Sequence, residues 1–132
     1  GAIGWGLGGA MGVKLAYPDR PVVAIVGDGS AMMTVQAFWT AAARNIASIF
    51  VIVNNGSYKV LKGGMDRYKH FIKEDTPSKY IGMDFPTNLN IAGLAEKMGI
   101  TGHIIRDPLE LKPVIRKALD SGKPAVLDVM VD

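Results

Sequence analysis

The runs Val22-Val23-Ala24-Ile25-Val26 and Ser48-Ile49-Phe50-Val51-Ile52-Val53 are apolar and rich in β-branched residues, with no polar alternation. A strand wetted on one face alternates and a strand covered on both faces does not, so both runs predict buried strands of a parallel sheet. About twenty residues separate them, enough for a crossover. In that interval Val35, Phe38, Trp39 and Ala42 recur at helical spacing, which predicts a βαβ unit.

Further along, Leu94, Ala95 and Met98 predict a helix ending at Gly99, and Ile100 to Ile105 a short strand interrupted by Gly102. Asp107-Pro108 opens a helix carrying Leu111, Val114, Ile115, Ala118 and Leu119, stopped by Gly122 and Pro124. Ala125 to Val131 closes the pattern as another apolar strand. Alternating strands and helices predict an α/β fold, a doubly wound parallel sheet with helices on both faces. Gly63 to Pro86 shows no sustained period and reads as a long loop that orders over a site.

Length and composition narrow this picture. The 132 residues, 48% hydrophobic, suffice for one domain spanning 1–132, and the start at Gly1-Ala2-Ile3 without Met is expected of a piece of a longer chain. No apolar run reaches membrane length and no basic leader is seen, so no membrane partner and a cytoplasmic location are expected. With no cysteine, disulfides, thiol nucleophiles and thiolate metal sites are excluded. The net charge of +3 owes much to Lys59, Lys62, Arg67, Lys69, Lys73 and Lys79, a solvated face rather than a nucleic-acid footprint. His70, among cationic neighbours, reads as surface, and His103 as structural.

The candidate chemistry lies in Gly27-Asp28-Gly29-Ser30, at the end of the first strand, and Asn54-Asn55-Gly56-Ser57, at the end of the next. Both fall on the carboxyl edge of neighbouring strands, where open α/β sheets bind ligands. Asp28 alone would be a cap or turn residue and Asn54-Asn55-Gly56 an ordinary turn. Together, the Asp28 carboxylate, the Asn55 amide oxygen and a Ser57 carbonyl make a partial shell for Mg2+, a cation that completes its octahedron with waters and phosphates. Gly29 and Ser30 precede a helix whose positive end favours an anion, and the Ser30 hydroxyl adds a hydrogen bond. Gly4-Trp5-Gly6-Leu7-Gly8-Gly9 formally matches a dinucleotide fingerprint, but that motif must follow a strand. Close helix packing is the preferred reading for Gly8, Gly9 and Gly12.

The Gly-Asp-Gly followed by Asn-Asn, with 24 residues between, is similar to the signature of thiamine-diphosphate-dependent enzymes. Nearly the whole chain resembles the C-terminal diphosphate-binding domain of the 2-oxoacid decarboxylase and acetolactate synthase superfamily. Phe38 to Ala42 and Asn54 to Tyr58 are most like the benzoylformate decarboxylases. The resemblance implies thiamine diphosphate and Mg2+ as cofactors, Asp28 and Asn55 as side-chain metal ligands and the Ser57 main-chain oxygen as the third. It places Gly27, Gly29, Ser30 and Tyr58 near the diphosphate. It also implies that the Gly1 carbonyl accepts from the cofactor's 4'-amino group and that Ile3 wedges the cofactor into a V shape. The sequence departs from the pattern at Lys62-Gly63-Gly64, where those decarboxylases tend to carry bulky residues, and this counts against an aromatic substrate.

By the same resemblance the activity is decarboxylation of a small-molecule 2-oxoacid. Acetolactate-synthase-type carboligation and a non-catalytic assembly module are the alternatives. Catalytic residues, including the glutamate that activates the pyrimidine ring, are expected in a pyrimidine-binding domain of the same or a partner subunit, within a homodimer or homotetramer. The isolated region is expected to be inactive.

Overall fold

A computed structural model describes residues 2–85, 87 and 89–131. The β-branched runs form β1 (Val22–Gly27) and β2 (Ser48–Asn54), joined by β3 (Thr101–Ile105) and β4 (Ala125–Met130). All pairings are parallel, in the order β1-β2-β4-β3. The helices are α1 (Trp5–Ala16), α2 (Asp28–Met32), α3 (Ala37–Ala43), α4 (Lys59–Phe71), α5 (Ile91–Lys97) and α6 (Pro108–Asp120).

Strand alternation divides the core in two. Phe50, Ile52 and Val126 face one side, where Leu7, Phe38, Ile91 and Ala95 of α1, α3 and α5 cover them. Ile49, Val51 and Leu127 face the other, under Leu111, Ile115 and Ala118 of α6. Each of the Val, Leu, Ile and Phe side chains removed from water contributes about 1.5–3 kcal/mol. Connections running one way along the sheet carry α3 and α5 on one face, and the return from β3 to β4 carries α6 on the other, as uniform crossover handedness requires. The doubly wound parallel sheet expected from the sequence is present. Among the described residues no helix is long and apolar enough to cross a membrane.

Four expectations need correction. The crossover helix is broken: α2 ends at Met32, α3 begins at Ala37, and Trp39 is exposed although Phe38 beside it is fully buried. Gly102 does not interrupt β3 but pairs with Val126 inside it; glycine is there because a Cβ would lie 2.3 Å from the Ala92 carbonyl oxygen of α5. The glycine of α1 that lets it approach the sheet is Gly6, whose Cβ would lie 2.8 Å from Val26. Gly8 and Gly12 face open space, and Gly9 accommodates the Trp5 ring. Finally, Gly63 to Pro86 is not one long loop, since α4 takes the first part of it; Pro86 lies outside the described residues.

Candidate cofactor site

Register places the two sequence turns side by side. Gly27, the last residue of β1, pairs with Val53 of β2, so the chain leaves both strands at one sheet edge, with Asp28 beside Asn54. Asp28 is only 2% exposed, and its carboxylate joins the turns. Oδ1 accepts from the Gly29 amide at 2.8 Å, while Oδ2 accepts from the amides of Asn55 at 3.1 Å and Gly56 at 2.8 Å. Gly56 reverses the chain at φ 65°, a conformation that strains residues with a Cβ.

Asn55 Oδ1 accepts from the Ser57 amide at 3.0 Å. Ser57 stands opposite Asp84 in an antiparallel bridge, flanked by Tyr58 N–H donating to Met83 at 2.8 Å and Phe85 N–H donating to Gly56 at 2.9 Å. In such a pairing the enclosed residue turns its own N–H and C=O away from the opposing segment. The Ser57 carbonyl is therefore directed to the side on which its amide meets Asn55.

Gly29 and Ser30 lie within the first turn of α2, with Gly27 as its N-cap, rather than before the helix as the sequence had implied. First-turn amides have no intrahelical acceptor, and that of Gly29 goes to Asp28. The Ser30 oxygen accepts from the Gly4 amide at 2.9 Å, and Thr34 donates to the Gly4 carbonyl at 2.8 Å. These bonds hold the turn containing Ile3, itself exposed, against α2. Among the described residues the Ser30 hydroxyl donates to no acceptor. Gly1 lies outside the described residues.

Tyr58 packs on the first turn of α2: a Cβ on Gly29 would lie 2.3 Å from the Tyr58 ring and 3.3 Å from that of Phe85. The two rings meet edge to face at 4.9 Å. Asp28, Gly29, Asn55, Ser57 and Tyr58 are thus brought together, and His70 and His103 make no contact with this cluster through any hydrogen bond described.

Sequence reasoning missed a second buried carboxylate. Asp128 of β4 is fully buried; it accepts from Asn54 Nδ2 at 2.9 Å and from the α5 amides of Ile91 at 2.9 Å and Ala92 at 3.2 Å. Asn54 in turn accepts from the Gly56 amide at 3.3 Å. Asp128 thus steadies the turn from beneath, and the signal for it was a lone acid inside an otherwise apolar run. Phe85 and Asp84 carried no such signal.

Residues 1–129 match the family model described as "Thiamine pyrophosphate enzyme, C-terminal TPP binding domain". The chain is 33% identical, over 98% of its length, to benzoylformate decarboxylase of Pseudomonas aeruginosa, covering 23% of that protein. It is 33% identical, over 100% of its length, to the mitochondrial acetolactate synthase catalytic subunit of Aspergillus candidus, covering 18%. Among solved structures, the Rhodococcus jostii RHA1 thiamine diphosphate-dependent 4-hydroxybenzoylformate decarboxylase superposes with a TM-score of 0.84 at 31% identity, over 98% of this chain and 23% of that one. The chain therefore spans about a quarter or less of these relatives. With the paired turns at one sheet edge and a family match over nearly its whole length, the chain belongs to the thiamine pyrophosphate enzymes, as their C-terminal cofactor-binding domain.

Proposed function

We propose that the two turns bind the diphosphate of thiamine diphosphate through Mg2+, as part of an enzyme that decarboxylates a 2-oxoacid. The observation that carries this reading is the Asp28 carboxylate, buried between the turns and bonded to amides of both. The donor set fits the ion: one anionic oxygen at Asp28, one amide oxygen at Asn55 and the Ser57 carbonyl, all hard, leave positions for phosphate oxygens and water. No cluster of three acidic, histidine or cysteine side chains exists among the described residues, so an ion here depends on the diphosphate for much of its shell.

When bound, thiamine diphosphate supplies an electron sink for cleavage of a carbon–carbon bond. The chain's own residues anchor and shield. Asp28, Asn55 and Ser57 would hold the ion, the Ser30 hydroxyl and the first-turn amides of α2 not taken by Asp28 would meet the anion, and the Tyr58 and Phe85 rings cover Gly29. Proton transfer falls to residues of a pyrimidine-binding domain on the same or a partner subunit.

The surface supports assembly, as a homodimer or homotetramer. The polar side of α4, Lys62, Asp66 and Lys69, is turned to its own following segment, while Val60, Tyr68 and Phe71, the last 81% exposed, are open. Exposed apolar surface of this kind is consistent with the contact to another domain that this reading requires. Carboligation is the second reading, favoured by the acetolactate synthase relative at the same identity as the decarboxylase.

Product analysis with pyruvate and benzoylformate tests both. We expect carbon dioxide from the intact protein and none above the free-cofactor background from residues 1–132 alone. Acetolactate as the main product from pyruvate would move the assignment to carboligation, and no product from either would remove the enzymatic reading for these two substrates.

A further inference from the structure

The segment Thr76–Phe85 returns along α4 and is fastened to its polar side at three points. Lys69 donates to the Thr76 carbonyl at 2.8 Å. Asp66 accepts from Ser78 Oγ at 2.8 Å and from the Tyr80 hydroxyl at 2.5 Å. Lys62 pairs with Asp84, and its Nζ lies 5.4 Å from the centre of the Tyr80 ring. Lys62, Asp66 and Lys69 are spaced by four and three residues, one stripe of the helix.

The far end of the same segment forms the bridge that encloses Ser57 and sets Phe85 against Tyr58. We propose that this segment is a strap whose fastening by Asp66 and Tyr80 fixes the direction of the Ser57 carbonyl, making the two side chains positioning residues for the divalent cation. The inference rests on the metal site proposed above. It gives a use to a stretch that touches neither Asp28 nor Asn55 by any hydrogen bond described. An unfastened strap leaves the turn between Gly56 and Tyr58 without its opposing strand, so the ion must order that turn as it binds, at a cost in affinity.

The test uses the intact protein as wild type, Asp66→Ala, Tyr80→Phe, the conservative Asp66→Asn and the control Tyr68→Phe, on the open side of α4. Mg2+ is titrated at fixed thiamine diphosphate and followed by intrinsic fluorescence, and hydrogen exchange is read at the Tyr58 and Phe85 amides. Loss of one or two hydrogen bonds predicts a Mg2+ half-saturation raised about three- to tenfold in Asp66→Ala and Tyr80→Phe, faster exchange at both amides, partial rescue in Asp66→Asn and no change in Tyr68→Phe. Unchanged exchange would show that these residues do not fasten the strap. Faster exchange with unchanged Mg2+ response would show that the strap does not position the ion. Either result overturns the proposal. A wild type indifferent to Mg2+ would overturn the metal site itself, and the titration shows this before any variant is compared.

Discussion

At the residue scale the site is organised by acceptors held in place by main-chain amides. Asp28 receives three such bonds, so its carboxylate is already positioned for the cation we propose there. Replacing it by Asn keeps size and an acceptor but removes the charge, whereas Ser30→Ala removes one hydroxyl with a net worth of about 1 kcal/mol. We expect Asp28→Asn to weaken thiamine diphosphate binding in the presence of Mg2+ by far more than the roughly fivefold expected for Ser30→Ala. Equal losses by equilibrium dialysis would argue against an ion at Asp28. These residues were legible in the sequence because the ligand chemistry and the strand ends coincide. Asp128 was not, since its partners on Asn54, Ile91 and Ala92 are brought to it only by the order β2-β4 and the seating of α5.

At the scale of elements, β1, β2, β4 and α6 could be read from pattern alone, because burial on both faces and clear start and stop residues leave few alternatives. Helix α4 was hidden. Gly63 and Gly64 each cost about 1 kcal/mol against alanine in a helix interior, and the lysines around them blur the apolar stripe. None of its residues is buried, so no core pattern betrays it. Its fastening to the strap has a pH signature. Tyr80 and Ser78 donate to Asp66 and, with Lys69 nearby, hold its carboxyl below the ordinary 3.8. The Asp66 carboxylate, only partly countered by Ser78 and Lys62, raises the Tyr80 phenol above 10.0. The lowered acid contributes stability above its ordinary value that is lost as pH falls through the depressed one. The raised phenol contributes below 10.0 and loses its contribution as pH rises through the elevated one. Alkaline titration of tyrosinate absorbance should show, as the difference between wild type and Tyr80→Phe, a phenol ionising later than ordinary tyrosine. In Asp66→Ala it should return toward 10.0, and a Tyr80 that ionises ordinarily in the wild type would contradict the bond to Asp66.

At the scale of the whole molecule, the function we propose for this region is that of an anchor within a larger reaction centre. Among the described residues the buried acids are Asp28 and Asp128, both engaged by amide donors, and Ile25 on edge strand β1 is 75% exposed, surface that the proposed assembly would cover. The central claim is that ion and diphosphate share one shell, so that each binds more tightly with the other present, by a reciprocal factor. Calorimetric titration of thiamine diphosphate into the intact, metal-free protein, with and without Mg2+, tests it most directly. We predict saturable binding with Mg2+ and its loss, or a weakening of at least about a hundredfold, without it, a coupling of roughly 3 kcal/mol. Equal affinity in the two titrations would contradict the account.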